Sequence, residues 1–132
     1  MIVGIGTDIC EVVRIERALA RHCDRFAERV LGPKELFVWR ARTDRHPDRG
    51  MRYVATRFSA KEAFSKALGL GFRYPSYPNA IMLRRNHLGK PIITLRDELH
   101  EYVIEKYPNY AIHLSISDTK SLSISSVIIE QI

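Results

Sequence analysis

Residues 51–68 read MRYVATRFSAKEAFSKAL, the strongest helical pattern in the chain. The segment is rich in Ala, Lys and Glu, which favour helices, and Gly69 follows it, as glycine commonly does at the end of a helix. On a helical wheel, Tyr53, Phe64 and two alanines form one apolar face, while small and apolar residues surround Glu62 on the other side. A helix that is apolar on two sides is buried on two sides, so this segment is predicted to be the central packing element.

Shorter elements are predicted on both sides of this helix. Before it lie a strand over residues 2–9 with Val3, Ile5 and Ile9 on one face, a helix over 11–24, a short helix over 33–42 and a loop over 43–50. After it lie a non-helical segment over 71–79, strands over 80–84 and 92–95, a helix over 96–106, and antiparallel strands over 110–117 and 122–130. This order predicts a single α+β domain, residues 1–132, in which an antiparallel sheet packs against a long central helix and smaller helices.

The composition is that of a folded globular domain. The 132 residues are 45% hydrophobic and 27% charged, with 7 Gly and 6 Pro, which excludes disorder, collagen-like repeats and low-complexity linkers. The longest apolar runs fall far short of the roughly 20 residues that cross a bilayer, and the first residues lack the basic and apolar regions of a signal peptide. We therefore expect a cytoplasmic protein.

Positive charge is concentrated in the first half of the chain. The 21 Lys and Arg against 15 Asp and Glu give a net charge of +6, and residues 1–61 hold 13 of these basic residues and 8 of the acidic ones. Four arginines share one side of the helical pattern that begins near residue 11, opposite Val12, Ile15, Leu19 and Cys23; this arginine face consists of Arg14, Arg17, Arg21 and Arg25. An acidic partner is expected to bind there, although a solvated face that serves only solubility is the alternative.

The cysteines and histidines do not indicate a disulfide or a transition-metal site. Cys10 and Cys23 lie 13 residues apart without a C-x-x-C motif, so both are predicted to be buried free thiols. The 5 histidines are scattered along the chain, so any bound metal is expected to prefer oxygen ligands.

Two carboxylates are candidates for such ligands. Asp8 ends the first predicted strand, where it either binds a ligand at the sheet edge or caps the next helix. Glu62 lies in a small, apolar strip where it needs a cation or strong donors, and the simpler alternative is an i,i+4 pair with Lys66. The sharper interpretation is that Asp8 and Glu62 hold Mg²⁺ together with substrate phosphate oxygens, while Lys66 neutralises the same phosphates.

Three groups of residues together resemble one known family. They are Gly4-Ile-Gly-Thr-Asp-Ile9 with Arg14 downstream, Arg57-Phe-Ser-Ala-Lys-Glu-Ala-Phe-Ser-Lys-Ala67, and Gly89-Lys90-Pro91 with His113-Leu-Ser-Ile-Ser117. In combination they are similar to the bacterial holo-[acyl-carrier-protein] synthases, the short class of 4′-phosphopantetheinyl transferases, over residues 2–130. The resemblance implies that family's fold. It also implies transfer of 4′-phosphopantetheine from coenzyme A to a serine of apo acyl-carrier protein in fatty acid biosynthesis, with release of adenosine 3′,5′-bisphosphate.

The resemblance assigns the chemistry to three residues. It implies that Asp8 and Glu62 bind Mg²⁺ along with the pyrophosphate of coenzyme A, and that Lys66 contacts phosphate. This agrees with the interpretation from the residues themselves, because a cation and a lysine stabilise the charge that builds on phosphoryl oxygens. Either Glu62 or a water on the metal takes the proton of the attacking serine.

The resemblance also implies where the rest of coenzyme A and the partners bind. Arg57 and His113 lie near the 3′-phosphate, and the turn Gly89-Lys90-Pro91 lies near the adenine. The family forms a trimer with its sites between subunits. The arginine face is expected to bind the acidic carrier protein.

Two other functions are left open by the residues alone. A nucleic-acid-binding module would explain the net charge, but no helix-turn-helix, zinc-finger or RNP pattern occurs, and Glu11, Glu16 and Asp24 lie near the arginine face. A metal-dependent phosphohydrolase would use the same carboxylates and would cleave coenzyme A without any carrier protein. We expect the transferase, with neither nucleic acid nor a membrane as its partner.

Overall fold

A computed structural model describes residues 1–132 and has the α+β architecture predicted from the sequence. The strands are β1 (Ile2–Glu11), β2 (Ile81–Arg85), β3 (Pro91–Leu95), β4 (Tyr110–Asp118) and β5 (Leu122–Gln131). The helices are α1 (Val12–His22), α2 (Asp24–Val30), α3 (Pro33–Arg45), α4 (Pro47–Leu68) and α5 (Asp97–Lys106), with a short 3-10 helix at Pro78–Ala80. None of the helices combines the length and the apolar character that a membrane span requires.

The strands form two antiparallel sheets. The larger sheet has three strands in the order β1-β5-β4, with Gly6 opposite Val127 and Val127 opposite Leu114. The smaller sheet is the β2-β3 hairpin, with Leu83 opposite Ile93. The inner face of the larger sheet packs against α4, whereas side chains of the outer face, such as Ile5, are exposed.

The central helix is confirmed, and it begins earlier than predicted. Phe64 and Val127 lie in one buried cluster, and Tyr53 and Trp39 lie in a second. Gly69 ends the helix in the left-handed conformation, with a φ of 87°. α4 therefore contributes to two hydrophobic cores, with residues of its first half in one and residues of its second half in the other.

β1 approaches α4 so closely that only glycine fits at two positions of the strand. A Cβ on Gly6 would lie 2.0 Å from the carbonyl oxygen of Ala63, and Gly4 meets the helix backbone in the same way. The large side chains of β1 consequently point outward, where Ile5 is 70% and Ile9 is 58% exposed. The alternation in the sequence thus identified an apolar face of β1, but this face is exposed. β1 packs against α4 through the backbone at its glycines and not through its large apolar side chains.

The helix predicted over residues 11–24 is confirmed as α1, and it is followed directly by a second helix, α2, that was not predicted. α1 ends at His22 and α2 begins at Asp24, because Cys23 between them adopts a φ of 51°. The prediction that both thiols are buried is wrong for Cys23, which is exposed at this junction, and right for Cys10. Burial raises the pKa of the Cys10 thiol to about 11.

The loop predicted over residues 43–50 is helical, which corrects the sequence interpretation. α3 continues to Arg45 and α4 begins at Pro47, where a proline costs no intrahelical hydrogen bond. Gly50 lies within α4, where a Cβ would meet the Thr43 hydroxyl of α3 at 2.1 Å. Proline and glycine here begin a helix and permit close helix packing, rather than forming a loop.

A buried ion pair joins three of the helices. The Nζ atom of Lys61 in α4 donates to the carbonyl oxygen of Val30 and to Oε1 of Glu35, each at 2.6 Å. The same Glu35 oxygen accepts a hydrogen bond of 2.9 Å from the backbone nitrogen of Gly32. The end of α2 and the beginning of α3 are thereby held against α4.

Candidate active site

An acidic site forms where β1 ends beside the second half of α4. Asp8 lies on the inner face of β1, and Lys66 on α4 donates from Nζ to Oδ1 of Asp8 and to the carbonyl oxygen of Thr7, both at 3.2 Å. The second carboxylate oxygen of Asp8, Oδ2, is buried without a hydrogen-bond partner. The structure therefore brings two of the three predicted catalytic side chains into direct contact and leaves one oxygen of Asp8 free to bind a cation.

This geometry decides two alternatives that the sequence left open. Glu11, not Asp8, precedes α1, and no side chain caps that helix, so Asp8 is not an N-cap. Lys66 pairs with Asp8 and forms no ion pair with Glu62, so the simple i,i+4 pair on α4 is also absent. Both carboxylates thus remain available for another role.

Glu62 belongs to the same site through its electrostatics. Burial raises the pKa of the Glu62 carboxyl, and the nearby charge of Asp8 raises it further, while Lys66 and Arg14 act in the opposite direction. A carboxylate such as Glu62, whose ionisation is disfavoured by burial and by a neighbouring negative charge, is stabilised by a cation.

The site fits Mg²⁺ whose coordination is completed by a substrate. No group of three or more His, Cys, Asp or Glu side chains converges in this chain, so the protein does not build a complete metal cage. Mg²⁺ typically binds one or two carboxylates and takes its remaining oxygens from phosphates and water. Asp8, with its unpartnered oxygen, and Glu62 supply ligands of that kind.

A strongly basic pocket of about 430 Å³ lies along the first half of α4. It is lined by Arg42, Arg49, Arg52, Tyr53, Thr56, Arg57, Arg85 and Asp118. Such a pocket suits a phosphate, because guanidinium groups donate pairs of hydrogen bonds to its oxygens. Only Arg57 of this pocket belongs to a motif recognisable in the sequence, since the other arginines lie outside any motif and converge from α3, α4 and β2.

Arg57 is held in place by its neighbours in this basic pocket. Its guanidinium lies 4.0 Å from the centre of the Tyr53 ring, and Nη1 donates to the hydroxyl of Thr56 at 2.9 Å. Its Nε atom is buried without a partner. Burial lowers the pKa of Arg57, with smaller contributions in the same direction from Arg85 and Arg42, while Tyr53 and Glu35 act in the opposite direction. A bound anion would favour the charged form of this buried guanidinium.

The turn Gly89-Lys90-Pro91 is connected to the basic pocket by Arg85. Nη1 of Arg85 donates to the carbonyl oxygen of Gly89 at 2.9 Å. The side chain of Asn86 closes the turn by accepting from the backbone nitrogens of Leu88 and Lys90, at 2.9 and 3.0 Å. Glycine is required at position 89 because its φ is 84°. The structure thus joins this turn to the pocket that contains Arg57.

His113 lies on the opposite side of the larger sheet from α4. It is an exposed residue of the outer face, and its Nε2 is 3.0 Å from Oε1 of Glu130. Arg57 belongs to α4, which covers the inner face of the sheet. Within one chain, therefore, the structure does not bring His113 and Arg57 to one ligand.

The arginine face is exposed but bent. All four of its members are exposed: Arg14, Arg17 and Arg21 on α1, and Arg25 on α2 after the break at Cys23. Arg14 lowers the pKa of Glu62, so one end of the face borders the acidic site. On the opposite side of α1, Ile15 is buried as predicted.

An apolar recess of about 490 Å³, absent from the sequence predictions, lies beside α2. Its apolar lining consists of Phe26, Val30, Phe58, Phe72, Tyr77 and Pro78. The ring of Phe58 is centred 6.0 Å from the rings of both Phe26 and Phe72. These residues come from α2, α4 and the segment before β2, so no single run of sequence indicates the recess.

Comparison with known proteins gives one consistent result. Residues 4–117 match the model of the 4′-phosphopantetheinyl transferase superfamily. A holo-[acyl-carrier-protein] synthase of Acidovorax sp. (strain JS42) is 48% identical over 131 residues, 99% of each chain. The crystal structure of holo-[acyl-carrier-protein] synthase from Neisseria meningitidis superposes with a TM-score of 0.90 at 35% identity, covering 98% of this chain and 99% of that one. The synthase of Bacillus anthracis, solved in complex with CoA (3′,5′-ADP), has a TM-score of 0.81 at 37% identity, covering 99% and 98%.

Proposed function

Since this chain belongs to the holo-[acyl-carrier-protein] synthases of the 4′-phosphopantetheinyl transferase superfamily, we propose that it uses Mg²⁺ held by Asp8 and Glu62 to transfer 4′-phosphopantetheine from coenzyme A to a carrier serine, releasing adenosine 3′,5′-bisphosphate. Phosphopantetheinyl transfer itself follows from family membership. The observation that carries the finer proposal is the contact between Asp8 and Lys66 close to Glu62. In this site the Oδ2 atom of Asp8 has no hydrogen-bond partner.

The side chains of this site match the needs of the reaction. The serine oxygen forms a bond to the β-phosphorus of coenzyme A while the bond from that phosphorus to the bridging oxygen breaks, and the electron pair leaves with adenosine 3′,5′-bisphosphate. Asp8 and Glu62 would hold Mg²⁺, which would neutralise charge on the phosphoryl oxygens. Lys66 would add a positive charge to the same oxygens, and either Glu62 or a water on the metal would accept the serine proton.

Coenzyme A would extend from the acidic site to the basic pocket. We place its 3′-phosphate against Arg57, whose buried Nε has no partner, and its adenine near the Gly89-Lys90-Pro91 turn that Arg85 holds. His113, on the outer face of the sheet, would meet this ligand only if it belongs to another copy of the chain.

The open outer face of the larger sheet supports assembly into a trimer. Ile5, Ile9 and Ile124 lie on this face and are 70%, 58% and 41% exposed. Adjacent apolar side chains on an uncovered sheet are typical of an interface. Burial of this face against another copy would also move His113 toward a neighbouring subunit, which supports sites shared between chains.

The carrier protein would bind across the arginine face. Arg14 links this face to the acidic site, so an acidic partner docked there would place its serine near Glu62. We assign the reaction to fatty acid biosynthesis, because the relatives are named for an acyl-carrier protein. We further propose that it takes place in the cytoplasm.

A mass measurement tests the proposal directly. The chain is incubated with coenzyme A, Mg²⁺ and an apo carrier protein, and the carrier is examined for the added mass of phosphopantetheine. We expect the mass shift with Mg²⁺ and none with chelator or with Asp8→Ala. Cleavage of coenzyme A without a carrier would indicate a phosphohydrolase, and a rise in Tm with DNA or RNA but not with coenzyme A and Mg²⁺ would indicate a nucleic-acid-binding module.

A further inference from the structure

The basic pocket contains one acidic side chain, that of Asp118. Its Oδ2 atom accepts hydrogen bonds from Nη2 and Nε of Arg52, at 2.8 and 3.3 Å. Asp118 is the last residue of β4, and Arg52 lies in the second turn of α4, so the pair closes one side of the pocket. Both side chains remain accessible to a ligand, with 35% of Asp118 and 39% of Arg52 exposed.

We propose that Asp118 is a specificity-determining residue that limits how tightly the basic pocket holds the 3′-phosphate of coenzyme A. It would do so by neutralising Arg52 and by repelling the phosphate. This inference rests on the proposed function, in particular on the placement of the 3′-phosphate beside Arg57. It adds two residues to the binding site that no motif marked.

The ion pairs of the pocket single out Arg52. Arg42, Arg49, Arg57 and Arg85 form no ion pair with a carboxylate, whereas Arg52 has a two-bond contact to Asp118. A phosphate in the pocket would therefore lie near four guanidinium groups that have no carboxylate partner and one, that of Arg52, whose charge is neutralised by Asp118. It also comes near a like charge, which disfavours binding.

A limit on affinity is useful in this reaction because substrate and product share the 3′-phosphate. Adenosine 3′,5′-bisphosphate keeps the group that the pocket binds, so each added contact to it holds the product as well as coenzyme A. Contacts that bind the substrate as tightly as the transition state lower KM without raising kcat. Contacts that also bind the product slow its release. A carboxylate in the pocket counteracts this effect.

A purely structural role for the pair makes different predictions. If Asp118 and Arg52 only tie the end of β4 to α4, removal of either side chain should loosen the pocket and weaken binding. If Asp118 limits affinity, then Asp118→Asn should tighten the binding of coenzyme A, while Arg52→Gln should weaken it. The sign of the Asp118→Asn effect therefore separates the two roles.

The experiment compares coenzyme A with 3′-dephospho-coenzyme A by calorimetric titration. We expect Asp118→Asn to bind coenzyme A about fivefold more tightly and Arg52→Gln about fivefold more weakly, as expected for one partly exposed charge contact. Binding of the dephospho form should not change in either variant. Asp118→Glu, which keeps the carboxylate, should restore the wild-type preference. Glu28→Gln is the matched control, because it removes a different exposed pair, with Arg40 at 3.9 Å, and should bind both ligands as the wild type does.

Two outcomes would overturn different statements. If the wild type binds coenzyme A and its dephospho form equally, the 3′-phosphate does not occupy the basic pocket and the proposed placement fails. If the wild type prefers coenzyme A but a folded Asp118→Asn variant binds it with equal or lower affinity, the placement stands and the role of Asp118 is wrong. Thermal unfolding of each variant verifies that it is folded.

Discussion

At the scale of single residues, Glu62 lowers the stability of the metal-free protein at neutral pH, and the proposed mechanism requires it for the reaction. Because folding raises its pKa, its contribution to stability is fully present below the unfolded pKa and is lost as the pH rises through the folded pKa. We expect Glu62→Gln to reduce transfer by more than about 100-fold and to raise the Tm of the metal-free enzyme at neutral pH by about 1–3 °C. Transfer assays and thermal unfolding in chelator measure the two effects.

Asp8→Ala serves as a second test of the same site. If Asp8 holds the cation as proposed, this variant should be as inactive as Glu62→Gln while remaining folded, because removal of a metal ligand costs more in catalysis than in packing. A wild-type rate for either variant at saturating Mg²⁺ would show that these carboxylates are not the ligands.

Lys66 and Arg57 should affect different kinetic constants. In the proposed mechanism Lys66 lies beside the reacting phosphates, so Lys66→Ala should lower kcat by about 100-fold. The proposed contact of Arg57 is to the non-reacting 3′-phosphate, so Arg57→Ala should raise KM for coenzyme A by about tenfold with little change in kcat. Steady-state kinetics with coenzyme A and its 3′-dephospho form measure this, and an unchanged preference in Arg57→Ala would reject its assignment.

At the scale of secondary structure, the contact between β1 and α4 sets the position of Asp8. Gly6→Ala would place a Cβ 2.0 Å from the Ala63 carbonyl oxygen, so the strand must move away from the helix. We expect a loss of about 2–4 kcal/mol in the free energy of unfolding, measured by urea titration, together with weaker activation by Mg²⁺.

Gly32→Ala is the matched control for this change. A Cβ at that position would meet only Oε1 of Glu35, at an ordinary 3.7 Å, so the stability should change by less than about 1 kcal/mol. Equal losses in the Gly6→Ala and Gly32→Ala variants would mean that the close approach of β1 is not what positions the strand.

Local sequence patterns predicted the helices and strands better than they predicted what packs against each of them. α4 and the candidate site residues Glu62 and Lys66 could be identified because a single run of residues contains both the helical periodicity and the chemically relevant side chains. The orientation of β1 could not, since alternation marks an apolar face without showing whether a helix, another chain or solvent covers it. The helical turns at 43–50 were missed because proline and glycine occur both in loops and at helix starts.

At the scale of the whole molecule, the basic pocket shows what sequence alone does not provide. Arg57 was identified within its motif, but Arg42, Arg85 and Asp118 come from elements far apart in the chain, and only the packed fold brings them together. The carboxylates of the acidic site could be identified because each stands out in its own stretch of sequence: Asp8 at the end of a predicted strand and Glu62 in an apolar helix.

The carrier protein should recognise the arginine face through its charge. Reversal of Arg14 and Arg21 to Glu should raise KM for the carrier by about tenfold, leave KM for coenzyme A nearly unchanged and flatten the loss of activity with added salt. Single reversals should have smaller effects, since exposed pairs contribute only about 0.2–1 kcal/mol each. Steady-state kinetics at low and high salt measure this, and wild-type kinetics toward the carrier in the double variant would move the docking surface elsewhere.

The sheet that separates His113 from Arg57 within one chain also has a genetic consequence. If each site takes Arg57 from one subunit and His113 from another, an Arg57→Ala allele and a His113→Ala allele each impair every site of their own assemblies. Coexpressed, the two alleles form mixed assemblies in which some sites carry neither substitution. We expect such a heterozygous strain to show more activity at limiting coenzyme A than a strain with either allele alone. A purely additive activity would place both residues in the same chain's site. If the two residues do come from different subunits, the gene would show intragenic complementation, and dominance tests in living cells would report on quaternary structure.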